Sequence, residues 1–164
     1  MMLQRAVSIM SRKEALRYCE GKHANPTIMI SVSDPRMFYR SIPFITQENG
    51  IREILPLSFA DADHPGTDVY RHAVSTEDLI QDEDAEQIAA LLCRHPRLPV
   101  IVHCDAGISR SAGIGAAILK YYNRDDSPVF DNPIFHPNML CYRKTLEALI
   151  HCGGTPANEA LDQA

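Results

Sequence analysis

His103-Cys104-Asp105-Ala106-Gly107-Ile108-Ser109-Arg110-Ser111 is the stretch whose reading decides the fold. It sets a cysteine and an arginine at the two ends of a loop, with five residues between them. An apolar run, Leu98-Pro99-Val100-Ile101-Val102, feeds into it, and a small-residue helical run from Ser111 to Leu119 leads out. A strand that turns tightly into a helix aims consecutive backbone N–H groups at the loop's centre, and the helix dipole adds partial positive charge there. The sequence therefore predicts an anion cradle with a nucleophile at its base, built between a central strand and a helix.

Each loop residue has a reading within that cradle. Gly107 permits backbone curvature that a side chain would resist. Arg110 presents a planar fork to two oxygens of a phosphate, which a lysine does not copy. The amides and side chains of Asp105, Ala106, Gly107, Ile108, Ser109 and Arg110 form the expected phosphate-binding set. Under those amides and beside a guanidinium, a thiol pKa falls from ~8.5 into the range ~3.5–7.5, so Cys104 is expected to attack phosphorus as a thiolate. Ser111 offers a hydroxyl to the sulfur, easing its departure from a cysteinyl-phosphate. His103 is read as ordering the loop through its ring nitrogens. A carboxylate within the cradle would repel the substrate, so Asp105 is expected to point outward, towards a cation on the substrate or a neighbouring loop. A thiol so activated is also the one expected to oxidise reversibly to a sulfenic acid.

Cysteine followed by arginine at this spacing is by itself a weak signal in a chain with five cysteines. The full string His-Cys-x-x-Gly-x-x-Arg-Ser, between an apolar strand and a helix, is far more specific. At His103, Cys104, Gly107, Arg110 and Ser111 the chain resembles the cysteine-dependent protein tyrosine phosphatases, in particular their compact, bacterial-type dual-specificity members. Outside the loop the resemblance runs from about Thr27 to His151 and is one of pattern. Low-molecular-weight phosphatases and arsenate reductases carry their loop near the N-terminus. Rhodanese-like domains generally lack the His before the cysteine and the Arg-Ser after it. The resemblance implies a single α/β domain over residues 1–164, with a core of about 11–152, a mostly parallel sheet flanked by helices, and a loose tail from 153 to 164. It also implies hydrolysis of phosphate monoesters on a phosphorylated protein or peptide, phosphotyrosine foremost. Two alternatives stay open: a non-protein substrate (phosphoinositide, nucleotide or RNA 5′ end) on the same fold, and a catalytically silent phosphate-binding module. Asp, Ala and Ile at positions 105, 106 and 108 disfavour a polyanionic substrate, because such enzymes usually carry extra basic residues in the loop.

Such a reaction needs an acid for the leaving group, on a loop that reaches the pocket. Family members usually carry it just beyond the strand that precedes the helix–strand unit leading into the phosphate loop, which points to Phe59-Ala60-Asp61-Ala62-Asp63 and onward to Asp68. Asp61, the first carboxylate after the strand, is the leading candidate, Asp63 the alternative, and Asp68 the third. The tryptophan-bearing acid loop of larger tyrosine phosphatases is absent, since the chain has no tryptophan. Pro137-Asn138 resembles a Pro-Asn element of some bacterial members, in which Asn138 would brace the pocket; an ordinary helix N-cap is the other reading. His64 and His72 belong to the pocket rim or to a solvated loop. Arg36 and Arg40, flanking Phe38 and Tyr39, line a substrate groove or form a surface turn, and the turn is preferred.

Composition agrees with these expectations. A chain of 164 residues with 45% apolar content supports one core. Its net charge of -5 argues against general nucleic-acid binding. The cysteines are odd in number and irregularly spaced, which suits neither a disulfide framework nor a zinc knuckle; no metal or other cofactor is expected. The N-terminus has no sustained apolar run, so neither a signal peptide nor a membrane span is expected, and the expected location is cytoplasmic. Ser11-Arg12-Lys13-Glu14 reads as a capping box one residue short, opening a helix from about Ser11 to Glu20 that Gly21 ends. Thr27–Val32 and Ile51–Phe59 read as strands, with Pro56 marking an edge or a bulge. Asp82–Arg94 reads as an amphipathic helix, Leu98–Val102 as the buried central strand and Ser111–Tyr122 as the helix behind the loop. Asn123–Pro133 reads as a loop, and Asn138–His151 as the last helix.

Overall fold

The computed structural model describes residues 4–36, 41–68 and 70–153. Four parallel strands form its sheet in the order β1-β6-β2-β3, where β1 is Val7–Met10, β2 Thr27–Ser33, β3 Ile51–Ser58 and β6 Val100–His103. Both faces of the sheet are covered, which is why β2 reads as a continuous apolar run. Ile28, Ile30 and Val32 of β2, with Val100 and Val102 of β6, face three helices: α2 (Asp82–Arg94), α3 (Arg110–Asn123) and α5 (Met139–Gly153). The intervening Met29 and Ile101 face α1 (Arg12–Glu20), where they meet Ala15 and Cys19. Cys104 therefore leaves the C-terminal end of an inner strand, buried on both sides.

The expected strands and helices are present, with ends shifted by one or two residues. Four local features differ from the sequence reading. The capping box of α1 is complete: Glu14 N donates to Ser11 Oγ at 3.2 Å and Ser11 N donates to Glu14 Oε1 at 3.0 Å, so Glu14 stands at the full spacing. Val7–Met10 is an additional edge strand on β6, four residues long and too short for its alternation to stand out. Within the expected loop 123–133, Ser127–Phe130 makes one helical turn, α4; Pro128 is compatible with its start because the first helical N–H groups have no intrahelical acceptor. Gly66–Thr67 and Ala73–Val74 pair as a small antiparallel hairpin, β4 and β5. Pro56 lies on the edge strand β3, as its missing N–H requires, while the one register irregularity falls opposite Thr27/Ile28. The expected loose tail beyond residue 153 lies outside the described residues, as do Phe38, Tyr39 and Arg40. No helix among the described residues is long and apolar enough to cross a membrane.

Candidate active site

The 104–110 loop closes against the start of α1. Gly107 has φ +72, and a Cβ built there would stand 2.5 Å from Ser11 N and 2.6 Å from Met10 C, so only glycine fits. The carbonyls of Asp105, Ile108 and Ser109 turn away from the loop's centre: they accept from Arg12 N at 3.1 Å, His136 N at 3.0 Å and Asn138 N at 3.0 Å. The amides of Ala106 to Arg110 donate to no acceptor among the described residues. His103 sits at the loop's root, fully buried, with Nδ1–H directed at Cys104 O at 3.0 Å and Nε2 accepting from Ser31 Oγ at 2.6 Å. Burial, aided by the Arg12 and Arg110 charges, pushes its pKa down to about 4, so the ring is neutral.

Cys104 is buried, and its sulfur lies 3.1 Å from Ser111 Oγ on the first turn of α3. Arg110 is also buried, with Nη1 donating to Phe59 O at 2.8 Å and Nη2 to Asp105 Oδ2 at 2.8 Å. Its Nε has no hydrogen-bond partner among the described residues. Burial alone would lower its pKa, but the charges of Cys104, Asp61 and Asp105 outweigh that and raise it, so the guanidinium stays charged. Asp105 does not point outward. Its side chain is only 14% exposed and bridges Arg110 and Arg12, two cations of the protein itself. Paired in this way, the carboxylate has no need of solvent.

Asp61 is buried against the loop, and its Oδ1 accepts from Ser109 Oγ at 2.8 Å and from Asn138 Nδ2 at 3.1 Å. Asn138 caps α5, with Oδ1 accepting from Cys141 N at 3.0 Å, and its Nδ2 donates to Asp61 Oδ1 and to Ala62 O. Gly113 lets α5 approach α3 closely enough for this, since a Cβ there would run into Asn138 O. Asp63 faces solvent, paired with His64, and Asp68 is spent on its own turn, accepting from Tyr70 N at 2.9 Å and His72 N at 2.8 Å. His64 is a solvated loop residue, and His72 is half-exposed beside Asp68. Arg36 pairs with Asp78 at 3.1 Å in a surface turn. A cleft of about 320 Å³ runs between Asp61 and Asp63, Thr67 and Asp68 of the hairpin, and Ser109 and Asn138. A larger one, about 520 Å³, lies between α2 and α5 and touches no residue of the loop.

Two residues near the site escaped the sequence reading. Arg12 looked like an ordinary first-turn residue, and only the folded chain brings it to Asp105. Tyr70, on the hairpin connection, has its pKa raised by burial and by the Asp105 charge, with Arg110, Asp61 and Cys104 also within electrostatic reach. Its aromatic character in a polar loop was the available signal.

Among solved structures, a variant of human DUSP28 superposes with a TM-score of 0.53 at 18% identity, covering 99% of this chain and 98% of that one. The chain has the dual-specificity phosphatase fold. DUSP15 (TM-score 0.48, 20% identity, covering 84% and 78% of the two chains) and PTPMT1 in complex with PI(5)P (0.46, 16%, 90% and 92%) are also similar. No family model matches the sequence, and no curated protein matches it. The dual-specificity phosphatase fold is the one expected from the resemblance at the loop, down to its parallel sheet with helices on both faces.

Proposed function

We propose that this protein hydrolyses phosphate monoesters through a cysteinyl-phosphate intermediate, on phosphotyrosine-bearing proteins or peptides. The observation that carries this reading is the buried, charged Arg110, whose Nε has no partner among the described residues, beside an equally buried cysteine. A buried N–H left unpaired is costly, and a charged one more so, unless a ligand satisfies it. Phe59 O and Asp105 hold the two Nη groups, so Nε and the second hydrogen on Nη2 remain for two phosphate oxygens. The amides from Ala106 to Arg110 then receive the remaining charge that develops on phosphorus.

Cys104 Sγ attacks phosphorus and the ester oxygen departs, taking its proton from Asp61. Both hydrogen bonds to this carboxyl fall on Oδ1, which leaves Oδ2 to carry the proton to the leaving group. Asp61 then takes a proton from water as that water attacks phosphorus, and Ser111 donates to the sulfur as the thiolate leaves. Asp63, exposed and turned to His64, is the weaker candidate for the acid. Positions 105, 106 and 108 of the loop carry Asp, Ala and Ile rather than basic side chains, which favours a single phosphate over a polyanionic headgroup. The reaction as written uses protein groups and water only.

The test is hydrolysis of para-nitrophenyl phosphate across pH in the presence of EDTA, beside Cys104→Ser and Asp61→Asn. Turnover that vanishes with Cys104→Ser supports the reading. Turnover that survives it, or a parent that binds a phosphotyrosine peptide without hydrolysing either substrate, overturns it.

A further inference from the structure

We propose that Arg12 is a positioning residue of the phosphate cradle, acting through Asp105; this deepens the phosphatase reading above and rests on it. Asp105 Oδ2 lies 2.8 Å from Arg110 Nη2, and its Oδ1 lies 3.2 Å from Arg12 Nε. The side chains of Arg12, Asp105 and Arg110 are 11%, 14% and 1% exposed, so solvent screens their charges little. Arg12 is itself fixed: its N–H donates to Asp105 O at 3.1 Å, Nη2 to Ser33 Oγ at 2.7 Å and Nη1 to Ser41 O at 3.3 Å. A carboxylate in a cradle for a dianion does two opposing things. It turns the Arg110 fork so that Nε is presented, and it adds a charge that repels the substrate. Arg12 separates these effects, because it offsets the charge and leaves the geometry intact. When Arg12 is removed, Asp105 both holds Arg110 more tightly and opposes the incoming anion.

The test is a double-mutant cycle on Arg12→Gln and Asp105→Asn, with two readouts: steady-state turnover of para-nitrophenyl phosphate, and calorimetric binding of inorganic tungstate. Arg12→Gln is expected to raise KM and weaken tungstate by about tenfold while kcat changes less than about threefold. Adding Asp105→Asn is expected to return both affinities to within about threefold of the parent. A mere folding defect would lower kcat as well and would not be rescued by removing a second partner. Additive losses in the double variant would overturn the proposal. Should the parent turn nothing over, the phosphatase reading falls, yet the tungstate cycle still decides the role of Arg12.

A different observation carries a second inference. Cys93, in the last turn of α2, and Cys152, in the last turn of α5, are both exposed, and their sulfurs lie 3.0 Å apart. Cys19, Cys104 and Cys141 are buried. We infer that Cys93 and Cys152 are a reversible disulfide site, separate from the catalytic thiol, that staples α2 to α5 under peroxide. Both sulfurs are open to peroxide and within reach of each other. Hydrogen peroxide oxidises one of the two thiols to a sulfenic acid, releasing one water. The other thiol then attacks that sulfur, the S–O bond breaks and a second water leaves. Two thiols become one disulfide as one peroxide becomes two waters, and a dithiol reverses the step. The closed loop would span β6, the phosphate loop, α3 and α4.

Peroxide treatment followed by alkylation and peptide mass mapping tests this, with thermal denaturation as the second readout. A Cys93–Cys152 crosslink that raises Tm, is reversed by dithiothreitol and is absent in Cys93→Ser supports it. No crosslink, or crosslinks that involve Cys104 instead, would overturn it.

Discussion

Replacing His103 with asparagine should flatten the acid side of the stability curve. His103 is fully buried and neutral, with its pKa pushed from 6.5 down to about 4 by burial first and by the charges of Arg12 and Arg110. Between those two values the unfolded chain binds a proton that the folded protein refuses. Stability contributed by this group is therefore complete above the unfolded value, shrinks as pH falls through that window, and is gone below the folded value. That depression corresponds to about 3 kcal/mol, of which about 2 to 3 should be lost between about pH 7 and about pH 4.5. Urea unfolding of the parent and of His103→Asn at both pH values isolates the term, since the carboxylates cancel in the difference. The variant starts less stable, because its contacts to Ser31 and Cys104 O are altered, but it should lose about 2 to 3 kcal/mol less on acidification. Equal acid losses in the two proteins would refute the reasoning: His103 would then titrate normally, and a charged ring would stand at the root of the phosphate loop.

Three further outcomes follow from the site. Asp61→Asn should lower kcat for aryl phosphates by about a hundredfold or more and remove the alkaline limb of the pH profile, as measured by steady-state kinetics. Ser111→Ala, which deletes the hydroxyl 3.1 Å from the sulfur, should slow breakdown of the intermediate by about ten- to a hundredfold and expose a burst of product in stopped flow. Gly107→Ala forces a Cβ to within 2.5 Å of Ser11 N at φ +72 and should cost about 2 to 4 kcal/mol in urea unfolding. An alanine variant as stable as the parent would mean that the loop is not packed on the start of α1.

Elements with long, regular patterns were legible in the sequence because a single physical cause shaped each one. The doubly covered β2 reads as an apolar run, α2 reads as a stripe of Ile88, Leu91 and Leu92, and the 103–111 string fixes its own strand–loop–helix turn. Asp61, the leading acid candidate from its place just after β3, lies buried against Ser109 and Asn138. The rest depends on contacts far apart along the chain. Four residues at Val7–Met10 become a strand only because β6 offers an edge. Asp105 was expected to turn outward because a carboxylate beside a phosphate repels it. The side chain turns inward because Arg12 lies beside it, 93 residues away in sequence. A cation for Asp105 was expected on the substrate or a neighbouring loop, whereas the fold supplies it from the first turn of α1.

The phosphorus–sulfur bond proposed at Cys104 can be sought directly. Ser111→Ala is mixed with para-nitrophenyl phosphate, quenched in acid during the burst, digested and analysed by mass spectrometry. A phosphocysteine intermediate adds the mass of one phosphoryl group to the peptide that contains Cys104, and none to that peptide when Cys104→Ser is added to the same background. Full product release with no phosphorylated Cys104 peptide at any quench time would contradict it.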